Sequence, residues 1–203
     1  MDELGLFPLG IVLLPTERLP LHIFEERYKE LVDECLEHEA EFGLVYADDD
    51  GLRDVGTRAH VVEVLTRFED GRLNILVEGG ERFRLTELTD GRAFNTGLVA
   101  PIEDADDPAE TAAVDEALRL FEQLREVTES EVDAPDPGDS QLSFALAGKV
   151  ELPSDEKLAL LAETSERVRI ELVQELLAHA VLTAQRVRRA AERASTNGKV
   201  DLG

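Results

Sequence analysis

Apolar positions in the first half of the chain recur with the period of strands. Leu6-Phe7-Pro8-Leu9-Gly10-Ile11-Val12-Leu13-Leu14 is a short apolar run closed by Pro15, and Gly43-Leu44-Val45-Tyr46 is a second. Asp48-Asp49-Asp50-Gly51 closes that second run with turn formers. Between Gly56 and Phe68, β-branched Val62, Val64 and Thr66 alternate, as in a half-buried strand. Asp70-Gly71 predicts a hairpin, because both residues tolerate positive φ, and Leu73, Ile75 and Val77 alternate after it. Gly79-Gly80 is expected to break that strand, so that Arg82–Leu88 begins another. Phe94–Ile102 ends the series, giving about six strands on short turns, the pattern of a closed or nearly closed barrel. One helix interrupts them. Tyr28, Leu31, Val32, Cys35 and Leu36 make a single apolar face at helical spacing, and Glu25 and Glu26 sit where the helix dipole favours negative charge.

Past residue 104 the period changes to that of helices. Asp107-Pro108-Ala109-Glu110 reads as a cap, a first-turn proline and an acid, opening a helix to about Glu129. Pro135, Pro137 and Gly138 mark a loop. A short helix is predicted over 140–150, and another opens at Ser154 as its cap. Ser165 opens the longest, with Val173, Leu176, Ala180, Ala184, Val187 and Ala191 as its stripe and Asn197-Gly198 as its stop. About thirty residues at 1.5 Å each give roughly 45 Å of helix. That exceeds what a bundle of this size covers, so part of it is expected to project or to pack on another chain. The reading is α+β: residues 1–104 a β-rich subdomain with one helix, residues 105–203 a helical bundle with a long last helix.

Composition narrows the function classes. Across 203 residues, 21 Lys and Arg face 45 Asp and Glu, a net charge of −24. A phosphate backbone or an anionic membrane surface calls for a basic stripe, so nucleic acid and membrane are disfavoured as partners. No apolar run is long enough to span a bilayer, and the Met-Asp-Glu start lacks the basic region of a signal peptide. One cysteine leaves no disulfide framework. An acidic cytoplasmic protein is expected, its acidity arising from coding bias or from a salt-adapted host.

The chemical motifs are nearly all negative. Gly148-Lys149 lacks the upstream glycine and the following hydroxyl of a nucleotide cradle. His38-Glu39 starts like a zinc-protease helix, but Phe42 stands where the second histidine is needed. Asp48–Gly51 fits no calcium loop, since Tyr46 and Thr57 fall on the positions that need carboxylates. No cofactor and no metal are expected. Cys35, on an apolar helix face, reads as an inert core thiol. Arg186, Arg188, Arg189 and Arg193 complement a helix C-terminus, or form a docking patch for an acidic partner.

The carrying residues of a family resemblance lie in order along the chain. They are Leu6-Phe7-Pro8-Leu9-Gly10, Val12-Leu13-Leu14-Pro15, Leu19-Pro20-Leu21-His22-Ile23-Phe24-Glu25, Arg27-Tyr28, Asp54-Val55-Gly56-Thr57, and Leu76-Val77-Glu78-Gly79 with Arg82-Phe83. In these the chain resembles the N-terminal substrate-binding domain of the Lon (peptidase S16) family. The helical half follows through Leu142 to Lys157-Leu158, then Leu160-Leu161 and Arg167. Glu26 stands where free-standing members usually carry proline, and either residue suits a first helical turn. The resemblance implies a PUA-like pseudo-barrel followed by a helical subdomain, and a module that helps choose polypeptides for an ATP-driven protease. This sequence has neither that family's ATPase loop nor a Gly-Pro-Ser segment to hold the serine of its Ser–Lys dyad.

The leading expectation is therefore a non-catalytic polypeptide-recognition module. It would bind through a groove between barrel and bundle or through the barrel's open edge, partnered by polypeptide substrates or an ATP-dependent protease. Phe24, Glu26 and Arg27 are the candidate contacts, although Phe24 is also a natural core residue and the two charges a natural solvated helix start. A homo-oligomer through the long last helix is a further expected partner arrangement. Two alternatives stand beside it. One is an enzyme using His22 or His60 as base. The other is a PUA-like nucleic-acid binder, for which Arg53, Arg58, Arg67, Arg72, Arg82, Arg84 and Arg92 are the β-region candidates.

Overall fold

The computed structural model describes residues 2–197 and is α+β. Its strands are β1 (Asp2–Leu9), β2 (Arg18–Ile23), β3 (Phe42–Asp48), β4 (Gly51–Arg67), β5 (Leu73–Thr89) and β6 (Asn95–Pro101). Helix α1 (Glu26–His38) lies between β2 and β3. Helices α2 (Thr111–Thr128), α3 (Leu142–Ala147), α4 (Ser154–Ala162) and α5 (Glu166–Asn197) follow.

A PUA-like pseudo-barrel forms because β5 is long enough to serve three neighbours. Its first half pairs with β2 and β4, and its second half with β4 and β6. β6 runs antiparallel to β1, β1 parallel to β3, and β3 antiparallel to β4, which closes the ring. β2 pairs with β5 alone, so its other edge carries no strand. Inside, Phe7 lies 4.1 Å from Tyr28 between ring centroids, beside fully buried Phe42, Val32, Ile75 and Val77. The face of α1 predicted from its spacing is the one buried here, closing the barrel interior. Cys35 lies in this core, and burial pushes its thiol up to about 11.

Two expectations about the strands fail for one reason. Gly79-Gly80 does not break β5. Instead the loop after β1 crosses over it: Thr16 N–H donates to the Gly79 carbonyl at 2.8 Å, and Gly79 N–H to that of Glu17 at 2.9 Å. A Cβ at Gly79 would stand 2.1 Å from the Leu14 carbonyl oxygen, so glycine is needed for this close approach. The run from Leu6 to Leu14 is accordingly not one strand. β1 ends at Leu9, and Val12 and Leu14 leave the sheet to join the helical core. The β-hairpin at Asp70-Gly71 forms as read, with Gly71 at φ 82° and Arg72 N–H on the Asp70 carboxylate.

Three helix readings are displaced. α2 starts at Thr111 rather than after Asp107, whose carboxylate instead accepts from Ser165 Oγ at 2.6 Å. That hydroxyl, and then Arg167, hold the Asp107 carboxyl below its ordinary range. α4 begins on Ser154 itself, with Pro153 in the N-cap position and no side-chain cap. Ser165 does cap α5, its hydroxyl accepting from Val168 N–H at 3.1 Å. The buried stripe of α5 is Ile170, Val173, Leu177 and Val181, one position round from the stripe expected, and Val187 is 64% exposed. From Arg186 to Arg193 every residue of the helix is exposed, so this part projects. Gly198 lies outside the described residues.

Barrel and bundle meet in an ionic seam built on two buried arginines. Arg82 of β5 gives Nη1 to the Leu161 and Glu163 carbonyls, both at 2.7 Å, and its Nη2 to Asp104. Arg169 of α5, fully buried, reaches both Asp104 oxygens at 2.7 Å and Glu166 at 2.7 Å, and Ser143 Oγ at 3.0 Å. Both guanidinium groups lie over the Phe144 ring, at 5.2 and 4.4 Å. Burial and the nearby Arg169 lower the Arg82 pKa. For Arg169 burial acts the same way, but its bonds to Asp104 and Glu166 outweigh it and the pKa is raised.

Candidate functional site

The three residues singled out from sequence sit together where β2 turns into α1. Phe24 is not core: its side chain is 60% exposed. The reason is register. Leu21 and Ile23 fill the barrel-facing positions of β2, which leaves His22 on the solvent side, and Phe24 follows where the strand stops. The His22 ring stacks on Phe24 at 5.9 Å and meets Phe68 edge-on at 6.1 Å. His22 Nδ1 is 2.6 Å from Asn74 Oδ1, which fixes the imidazole. Arg72 lies over Phe68 at 5.1 Å.

Glu26 and Arg27 rim this cluster. Glu26 pairs with Lys29 at 2.8 Å, and Lys29 also reaches the Asp70 carbonyl, tying the start of α1 to the tip of the β4–β5 hairpin. Arg27 pairs with Glu25 at 2.8 Å and lies over the Tyr28 ring at 4.5 Å. Val62, Val64 and Leu65 stand exposed on the half of β4 that pairs with this part of β5. Bulges between Val61 and Glu63 and between Val64 and Thr66 turn their side chains out of the regular alternation. The result is an exposed aromatic cluster of His22, Phe24 and Phe68 beside β5, with further apolar side chains exposed on the adjoining half of β4 and charges at one end.

The expected groove between barrel and bundle is replaced at its centre by the ionic seam. An open cleft of 800 Å³ remains at the barrel's rim, but Glu17, Glu78, Asp136 and Asp139 line it against Arg18 and Lys149. An acidic wall of this kind does not favour apolar chain segments. The unpaired edge of β2 is present, and Pro20, which has no N–H to offer, blunts it.

Sequence reasoning missed Phe68 and Asn74 as members of this cluster, and the exposure of Val62, Val64 and Leu65. It weighed His22 only as a base. His22 and His60 stand on strands separated by β5, and His22 rests against the Phe24 and Phe68 rings with Asn74 on its Nδ1. The barrel arginines also resolve. Arg53, Arg58, Arg67, Arg72, Arg82, Arg84 and Arg92 are each ion-paired, with Asp48, Asp2, Asp33, Asp70, Asp104, Asp54 and Glu34 in turn. They form no free basic stripe for a phosphate backbone. Among the described residues no helix is long and apolar enough to cross a membrane.

Comparison with known proteins agrees with this architecture. The chain is 29% identical over 196 residues to a Lon protease of Anaeromyxobacter dehalogenans, covering 86% of the chain and 23% of that protein. It is 27% identical to Lon protease 2 of Myxococcus xanthus, again over 86% of the chain and 23% of the relative. It therefore spans about a quarter of the length of these curated relatives. The crystal structure of a Lon N-terminal domain protein from Xanthomonas campestris superposes with a TM-score of 0.66 at 28% identity, covering 88% of this chain and 98% of that one. The N-terminal domain of a Mycobacterium avium complex Lon protease shares the fold at 14% identity and the same TM-score, over 87% of this chain and 98% of that one. The family model of the ATP-dependent protease La (LON) substrate-binding domain matches residues 3–179, and the chain belongs to that family.

Proposed function

We propose that the chain binds exposed apolar segments of non-native polypeptides on the β2–β5–β4 face, with Phe24 as anchor and Glu26 and Arg27 as its rim. The observation that carries this reading is Phe24 itself, an aromatic side chain 60% exposed and held by stacking on His22 rather than by the core. Exposed aromatic anchors flanked by charge are the usual centres of binding energy. Support also comes from the family match, which falls on a substrate-binding domain and not on protease or ATPase parts. The chain accordingly acts without chemistry of its own and serves, in the cytoplasm, as an adaptor or regulator of an ATP-dependent protease. Its subdomains, divided at residue 104, work as one body because Asp104 accepts from both Arg82 and Arg169. A homo-oligomer through the exposed end of α5 belongs to the same reading, and sedimentation of the whole chain tests it.

The direct test is titration of a permanently unfolded protein, such as reduced carboxymethylated α-lactalbumin, against the chain and its Phe24→Ser variant. Saturable binding weakened at least tenfold by the substitution is expected, about 1.4 kcal/mol. Equal binding by both proteins would exclude this face.

A further inference from the structure

A second cavity lies away from both the face and the seam. Phe121 and Leu124 of α2, Val150 before α4 and Ala180 of α5 form its apolar wall, and Arg125, Lys149 and one acid, Glu151, stand with them. Its volume is 250 Å³. Pockets for whole small-molecule ligands usually run about 300–1,000 Å³, so this one suits a single apolar side chain.

Arg125 is only partly used. Nη1 bonds both Glu122 oxygens at 2.8 Å. Its Nε is buried with no acceptor, the one side-chain nitrogen or oxygen in that condition among the described residues. Nη2 has no partner among the described residues either. Nε–H and Nη2–H form the side-on edge of a guanidinium, whose spacing matches the two oxygens of one carboxylate. A buried donor without an acceptor is unusual enough to need a reason. Lys149, beside it, belongs to no ion pair among the described residues, whereas every arginine of the barrel has an acid partner.

Resting on the reading of the chain as a polypeptide binder, we propose that this pocket takes the C-terminal residue of a bound polypeptide when that residue is apolar. The side chain fills the cavity, and the α-carboxylate meets Arg125 on its Nε–Nη2 edge with Lys149 alongside. A chain end is the occupant because it carries an apolar side chain and a carboxylate on the same carbon. An internal Leu or Phe lacks the charge, and an internal Asp or Glu lacks the apolar group. Nε is shielded by its neighbours, so the carboxylate reaches Nη2 first, and the flexible arginine turns to complete the pair.

The test uses the full chain at 0.15 M salt and a fluorescein-labelled Gly/Ser octapeptide ending in leucine, as free acid and as carboxamide. Anisotropy is expected to show the acid bound about tenfold more tightly, the worth of one charge-assisted contact pair. Arg125→Gln and Lys149→Gln should each bring the acid to within about threefold of the amide and leave the amide unchanged, with circular dichroism reporting the fold. Equal affinity of acid and amide overturns the proposal. If unfolded α-lactalbumin still binds in a Phe24-dependent way, the reading of the β2–β5–β4 face survives that result. If instead the acid peptide binds selectively and the unfolded protein does not bind, the pocket stands and the face falls.

Discussion

The seam and the open face use the same chemistry to opposite ends. In the seam, Arg82 and Arg169 lie over Phe144. On the face, Arg72 lies over Phe68 and His22 stacks on Phe24. What separates them is saturation. Arg169 has no exposed surface and spends its donors on Asp104, Glu166, Ser143 and the Glu163 carbonyl. Phe24 has a majority of its surface in water and one ring to rest on. An arginine–aromatic pair is thus structural where every polar atom is matched and dry, and available for binding where it is not.

The largest consequence follows from breaking the seam. Replacing Arg169 by methionine leaves Glu166 buried without its cation and partly exposed Asp104 with Arg82 alone, and removal of one partner from a buried pair costs about 3–5 kcal/mol. The urea midpoint should fall accordingly, while polypeptide binding by the protein that remains folded is retained. A loss under 1 kcal/mol would show that water enters the seam and that its burial is not what holds the halves together. Phe24→Ser is the mirror experiment. Being exposed, Phe24 should change stability by about 0.5 kcal/mol or less, while binding falls at least tenfold. Stability lost in parallel with binding would return Phe24 to the core and erase the contrast.

A smaller effect separates core from face by pH. The Cys35 thiol is held at about 11, above its ordinary value of 9.0, first by burial and then by Glu34 and Glu41. A raised acid pKa means the folded state keeps the proton that the unfolded state releases. Its contribution to stability is therefore whole below the unfolded pKa near 9 and is lost as pH rises from there through about 11. Cys35→Ala should flatten the alkaline decline of the urea midpoint over this window. In the native chain at pH 8, a thiol reagent should react with Cys35 far more slowly than with the unfolded chain.

How much of this was legible in the sequence depends on what each residue answers to. The α1 face, the Asp70-Gly71 hairpin and the Ser165 cap were readable because local spacing and local hydrogen bonding decide them. Gly79 was misread because its reason is a loop passing over it from sixty residues earlier, an approach that no local pattern records. Asp107 has the right company for a helix cap, but Ser165 and Arg167 claim it from the far side of the bundle. Phe24 belonged to a recognisable motif, yet alternation along β2 does not say which face meets water. The seam was invisible for the same reason, since Arg82, Asp104 and Arg169 are charged residues that read as surface until the fold brings them together. Phe68 could have been suspected, as a large aromatic placed just before a solvent-exposed turn.

The finest test concerns the rim. Glu26, almost fully exposed, pairs with Lys29, and Arg27 with Glu25, so each pair contributes about 0–1 kcal/mol to stability. Rim charges mainly steer encounter, whereas the anchor at the centre governs dissociation. Arg27→Gln should therefore weaken binding of unfolded α-lactalbumin by no more than about threefold, and chiefly in the association rate. Raising salt should shrink the difference between Arg27→Gln and the parent chain, because screening removes what the charge supplies. The effect of Phe24→Ser, being apolar, should persist at the same salt. Were Arg27→Gln to slow association equally at low and high salt, Arg27 would act through its cation–π contact with Tyr28 and the shape of the α1 start, and the rim would belong with the anchor.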